Sequence, residues 1–127
     1  MKAILDFFGR PDVPKEREIA MVFSGDGSKY LVCNIGTENS CYFTPQDIIN
    51  WARREKINTV IMAHNHPPFL NGVVSLSPSI ADIKTTVSVQ EILAPADIDL
   101  MDHFIVDNSG PPRMVSLKNL GYYNPQY

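Results

Sequence analysis

Cysteine is nearly absent: Cys33 and Cys41 are the only two in 127 residues. They stand eight apart with no C-x-x-C pattern, so they do not read as a disulfide framework. Two reduced thiols of a cytosolic protein is the plainer reading, with Cys33 placed in the core by its apolar strand. Long apolar runs are missing too. Nothing approaches the roughly 18 residues that span a bilayer. In the opening MKAILDFFGRP, Asp6 interrupts the apolar stretch after three residues, short of the about 7–15 of a signal peptide. Positive charge is not in excess: 11 Lys plus Arg against 14 Asp plus Glu leave a net charge of −3. A protein that grips nucleic acid through its phosphates is normally basic, so only a local basic patch would serve here. Internal repeats and low-complexity segments are lacking. These absences point to a cytoplasmic protein off the membrane.

What is there is a globular composition, 44% apolar and 20% charged. The length suits a single domain over residues 1–127, enough to bury a core without staples. Seven of the ten prolines cluster around positions 11–14, 67–78 and 111–112. Periodic apolar segments flank each cluster, which marks loops rather than domain boundaries. Residues 1–8 fit a short helix or an edge strand. Residues 18–24 (EIAMVFS) and 30–34 (YLVCN) read as strands joined by the turn Gly25-Asp26-Gly27-Ser28. A helix starts at Thr44 as N-cap, with Pro45 in first position, Asp47 at N3 and a stripe of Ile48, Ile49 and Ala52. Residues 58–63 (NTVIMA) form the continuous β-branched run of a strand buried on both faces. A loop over 67–78 leads to a second helix over 79–93, ended by Pro95. Strands over 100–106 and 113–117, around the turn 107–112, complete a mixed α/β order of about five strands and two helices.

Three histidines occur, and two of them, His64 and His66, sit two apart where the buried strand runs into Pro67-Pro68. Side chains at i and i+2 of a strand share a face. Two neutral imidazoles aimed at one point suit a divalent metal, zinc above all. By itself H-x-H is a weak signal, equally met by a strand end with one ring in solvent. Asp82 adds to it. In Ser79-x-x-Asp82 it fits a capping box, and from the first helical turn it also offers a third ligand. Two His and one Asp leave the fourth position of a tetrahedral zinc open to water, the catalytic arrangement.

The run His64-Asn65-His66-Pro67 through Pro78-Ser79-Ile80-Ala81-Asp82 resembles the JAMM signature of the MPN superfamily, H-x-H followed after a loop by S-x-x-D. Among its members the RadC-like proteins, which also carry A-H-N-H-P and a D-H-hydrophobic strand like Asp102-His103-Phe104-Ile105-Val106, are the most similar. The resemblance covers residues 18–106. It implies an MPN/JAB-type (cytidine-deaminase-like) mixed sheet flanked by helices, and Zn2+ held by His64, His66 and Asp82. It further implies Glu18 as general base and Ser79 as the donor to the oxyanion. Without the resemblance, Glu18 reads as an exposed charge at a strand end, and Glu16 is the fallback on the same strand face. The implied reaction is hydrolysis of a peptide or isopeptide bond, with a protein or peptide substrate, possibly a ubiquitin-like conjugate. For the RadC-like branch, whose activity is undefined, a link to DNA repair has long been suggested, and a DNA-repair-associated protein of undefined activity is a further reading; a chain of this length is expected to have no room for the helix-hairpin-helix extension many of them carry.

Two features depart from the pattern. Twelve residues separate His66 from Ser79 where the family has seven, and the enlargement falls in residues 68–77 (PFLNGVVSLS). Loop length costs little closure entropy, so the ligands can still converge. Phe69, Leu70, Val73 and Val74 in that loop would cover the site or meet a partner. His103 reads as a structural strand histidine beside Asp102, and Trp51 as packing. Other metal and nuclease classes fail on spacing. Adjacent H-N-H letters are not the dispersed HNH nuclease motif, H-x-E with P-C-x-x-C is absent, and there is no H-E-x-x-H helix. The competing class is an MPN-type interaction module without metal or activity.

Overall fold

The computed structural model describes residues 2–35 and 44–121. Five strands form one sheet in the order β2-β1-β3-β4-β5. They are β1 (Ile19–Ser24), β2 (Tyr30–Ile35), β3 (Thr59–Asn65), β4 (Asp99–Asp107) and β5 (Arg113–Ser116). Three helices accompany them: α1 (Lys2–Phe8), α2 (Pro45–Glu55) and α3 (Ile80–Leu93). Pairing is antiparallel throughout except for β3 with β4, which run parallel. A parallel pair needs a long crossover, and α3 with the short 3-10 turn Ala94–Ala96 supplies it. The mixed sheet flanked by helices is the MPN/JAB-type α/β architecture expected from the sequence.

Both faces of the sheet are covered. On one, Val22, Val60, Met62 and Leu100 pack against Ile48, Trp51 and Ala52 of α2 and Val89 and Leu93 of α3. On the other, Met21, Phe23, Ile61, Ala63 and Val106 pack against Ile4 and Phe8 of α1. Neighbours such as Met62 and Ala63 go to opposite sides, as the two-residue period of a strand requires. Burial on both faces is why β3 carries an unbroken apolar run, and Val60 through Asn65 are all buried.

The open choice at the N-terminal segment resolves as a helix over Lys2–Phe8, because Ile4 and Phe8, four apart, bury on one face. α3 forms although Thr85, Thr86, Val87 and Val89 are poor helix formers. Thr86, Val89, Gln90 and Leu93 are buried, so packing outweighs propensity. Thr44 is the N-cap of α2, but its side chain makes no capping bond. The Asp47 amide bonds the Thr44 carbonyl instead, at 3.0 Å. Pro45, with its fixed φ, and the acidic Asp47 define the helix start. The expectations for the Cys33 side chain and for Cys41 lie outside the described residues. No helix among them is long and apolar enough to cross a membrane.

Candidate metal centre

His64 is the penultimate residue of β3 and shares the face of Val60 and Met62, beneath α3. His66 lies one residue past the strand, but its amide still bonds the Val106 carbonyl of β4 at 3.0 Å, which prolongs the ladder. The start of α3 is fixed by a capping box. The Ser79 hydroxyl accepts from the Asp82 amide at 3.0 Å, and the Asp82 carboxylate accepts from the Ser79 amide at 2.8 Å. The capping role and the proposed ligand role of Asp82 therefore do not compete. The same carboxylate that closes the cap reaches both rings.

His64 Nε2 lies 3.1 Å from His66 Nε2. Asp82 Oδ1 lies 3.1 Å from the first, and Asp82 Oδ2 lies 3.2 Å from the second. A tetrahedron built on zinc–nitrogen bonds of about 2.0–2.1 Å has edges of about 3.3–3.4 Å. The three side chains thus stand within a few tenths of an ångström of that spacing.

Hydrogen-bond partners determine which nitrogens carry hydrogen. His66 Nδ1 is 2.8 Å from the Ser75 carbonyl, which can only accept, so Nδ1 is protonated and Nε2 of the neutral ring bears a lone pair. For His64 the assignment runs through two further residues. The Thr86 hydroxyl donates to the Asp82 carbonyl of its own helix at 2.7 Å. It therefore accepts from His103 Nδ1 at 2.6 Å. His103 Nε2 is then an acceptor for His64 Nδ1–H at 2.7 Å, and the lone pair of His64 falls on Nε2. Burial first, and the neighbouring His64 second, push His103 well below the usual histidine range, against the pull of Asp82, so this ring stays neutral. Two imidazole lone pairs and a carboxylate consequently face one another at about van der Waals contact or closer. Only a positive charge between them, a proton or a metal ion, makes that arrangement favourable.

The charge state agrees. Burial pushes His66 down, but the Asp82 hydrogen bond, the Ser75 carbonyl and the charges of Asp82 and Glu18 outweigh it and raise the ring above its usual value. For Asp82, burial favours the neutral acid, yet the contacts with His64 and His66 and the hydrogen bond from the Ser79 amide hold the carboxyl far below the carboxylate range. Shifts of this kind cluster at functional sites.

Glu18 precedes β1 rather than opening it as the sequence suggested, because the strand begins at Ile19. Alternation puts it on the face of Ala20 and Val22, toward the histidines. One carboxylate oxygen and one ring nitrogen each of His64 and His66 lie within 4.8 Å of one another, a group able to hold a metal. Glu16, the fallback, is exposed and does not join this group. Ser79 shares with Glu18, His66 and Phe69 an open cleft of about 270 Å³. Within the enlarged loop, Val74 is buried, whereas Phe69, Leu70 and Val73 stay exposed, and of these three Phe69 lines the cleft.

His103 is buried, as expected, and its amide bonds Asp102. Its ring, however, is partnered by His64 and Thr86, a connection the linear order does not show. Thr86 was legible only as a poor helix former. Register supplies the missing signal: His103 pairs with Met62 in the parallel ladder and so shares the face of His64.

Comparison with known proteins places the chain in a family. A family model described as "RadC-like JAB domain" matches residues 13–122. A UPF0758 protein of Staphylococcus aureus (strain Newman) is 40% identical over 89 residues, 70% of this chain and 36% of that protein. A UPF0758 protein of Staphylococcus epidermidis (strain ATCC 12228 / FDA PCI 1200) is 38% identical over 89 residues, again 70% of this chain and 36% of the relative. The chain thus spans little more than a third of the length of the curated relatives it matches. It belongs to the family of RadC-like JAB domains.

Proposed function

We propose that the chain is a JAMM-type zinc hydrolase that cleaves peptide or isopeptide bonds, with His64, His66 and Asp82 as the metal ligands. The observation that carries this reading is the close set of donor atoms, with the two imidazole Nε2 atoms 3.1 Å apart and each facing a different oxygen of the Asp82 carboxylate at 3.1–3.2 Å, the lone pairs of both imidazoles turned inward. Zinc bound there supplies a Lewis acid, which polarises an amide carbonyl and makes water nucleophilic near neutral pH.

The protein's own residues carry the remaining tasks. Glu18, beside both rings, accepts the proton of the attacking water and returns it to the leaving nitrogen. An amine is a poor leaving group until it is protonated, so one carboxylate serves both halves of the reaction. Ser79 accepts from the Asp82 amide through an oxygen lone pair, which leaves its hydroxyl hydrogen available for the oxyanion. The cleft is open, so an extended segment of a protein substrate, such as the tail of a ubiquitin-like conjugate, fits better than a small enclosed ligand. The sparse cysteine content supports a cytoplasmic setting.

The alternative, an MPN-type interaction module, draws on Phe69, Leu70 and Val73, which are exposed on the enlarged loop. The two readings separate on turnover. Zinc-loaded protein, assayed against a panel of peptide and isopeptide-linked ubiquitin-like conjugates, is expected to cleave at least one. Activity should disappear with a chelator and return with zinc. A protein that takes up no stoichiometric zinc and cleaves no conjugate, in a panel spanning the known linkage types, favours the module.

A further inference from the structure

We propose that Asn65, the middle residue of His64-Asn65-His66, is the positioning residue for Glu18; this rests on the reading of Glu18 as the base. The backbone ladder between β1 and β3 ends at the pair Ala20 and His64. On the next rung the Asn65 carboxamide replaces the main chain. Its Oδ1 accepts from the Ile19 amide at 2.7 Å, and its Nδ2 donates to the Arg17 carbonyl at 2.9 Å. Those two groups belong to the peptide planes on either side of the Glu18 Cα. Holding both planes fixes both backbone torsions of Glu18, and with them the direction in which its side chain leaves the chain.

This hold matters because residues 14–18 belong to no helix or strand. Asn65 is fully buried, and its second Nδ2 hydrogen goes to Asn108 Oδ1 at 3.2 Å. Asn108 in turn bonds the Pro14 carbonyl through Nδ2 and accepts from Lys15 Nζ through its own carbonyl. The whole approach to Glu18 is therefore tied to two asparagines. Strand alternation turns Asn65 away from the face of His64, so it is not a metal ligand. Three successive residues divide the work: the outer two present imidazoles on one face, and the middle one sets the glutamate's place relative to them. The role needs an amide. A carboxylate of the same size keeps the acceptor for Ile19 but sets an oxygen against the Arg17 carbonyl and Asn108 Oδ1.

The test uses Co2+ as the probe and reads its visible absorption, which follows the surroundings of the ion. Glu18→Gln is expected to shift the spectrum of the Co2+-loaded protein. Asn65→Asp should shift it in the same direction, and the double variant should match Glu18→Gln alone. Asn108→Ala, one step further out and outside the strands, should give a smaller shift of the same sign; it carries the test if Asn65→Asp does not fold. A wild-type spectrum in both asparagine variants, beside a shifted one in Glu18→Gln, overturns the inference and leaves the metal site standing, as do additive shifts in the double variant. Failure of the wild-type protein to take up Co2+ overturns the metal reading and this inference with it.

Discussion

Nδ1 of His64 stands 2.7 Å from Nε2 of the buried His103, and this contact decides which nitrogen of His64 faces the cleft. Its origin lies on α3, where the Thr86 hydroxyl spends its hydrogen on the Asp82 carbonyl and leaves His103 to donate. The helix that presents the carboxylate thereby also orients one of the two imidazoles. Partners behind a metal-binding histidine typically change affinity by about 10–100-fold when removed. Thr86→Val, nearly isosteric, is expected to weaken zinc binding by about that factor. Thr86→Ser, which keeps the hydroxyl, should bind nearly as the wild type does. Competition with a chromophoric chelator measures both.

Glu18→Gln removes the base but none of the three proposed ligands. Hydrolysis is expected to fall by about 10²–10⁴-fold, with zinc content unchanged. If zinc is lost as well, Glu18 serves as a ligand or structural group instead. Elemental analysis of the same preparation used in the assay distinguishes the two.

Ser79 and Asp82 share the capping box but divide over the metal. Ser79→Ala should cost about 0.5–2 kcal/mol of stability through the lost cap and leave zinc bound, while slowing turnover. Asp82→Ala should lose both the cap and the metal. Thermal unfolding with and without zinc shows the contrast: the zinc-induced rise in Tm persists in the first variant and disappears in the second.

The pH dependence follows from two shifts of opposite sign. The metal-free fold raises His66 above its usual value, since Asp82, the Ser75 carbonyl and Glu18 overcome the cost of burial. Protonated His66 thus stabilises the metal-free protein below pH 6.5, and that contribution disappears as pH rises through the raised value. Asp82, held low by His64 and His66 against burial, contributes stability above pH 3.8 that is lost only as pH falls through its depressed value. Zinc must displace the His66 proton, so binding should release protons below the raised His66 value, and the zinc-induced gain in Tm should grow as pH rises through it. Calorimetry in buffers of different ionisation enthalpy counts the protons.

Much of this arrangement was legible in the linear order because it rests on short-range geometry. The i, i+2 spacing of His64 and His66 sets a shared face, and Ser79-x-x-Asp82 sets a helix start. The long apolar run of residues 58–63 gave the central strand. What escaped was whatever depends on which strands lie side by side. His103 behind His64 follows from the parallel register of β3 and β4, and Asn65 meets residues 17 and 19 only where the β1–β3 ladder stops. A single sequence carries the period of each strand but not its partner. The identity of Lys2–Phe8 as a helix likewise depended on the core that Ile4 and Phe8 enter.

The most direct test of the proposed centre is metal stoichiometry in protein purified without chelator. Wild-type protein should carry one zinc per chain, and His64→Ala, His66→Ala and Asp82→Ala should each carry almost none while still folding. Wild-type protein that stays metal-free after dialysis against excess zinc, or a His64→Ala variant that keeps a full equivalent, would contradict the assignment of these three side chains as its ligands.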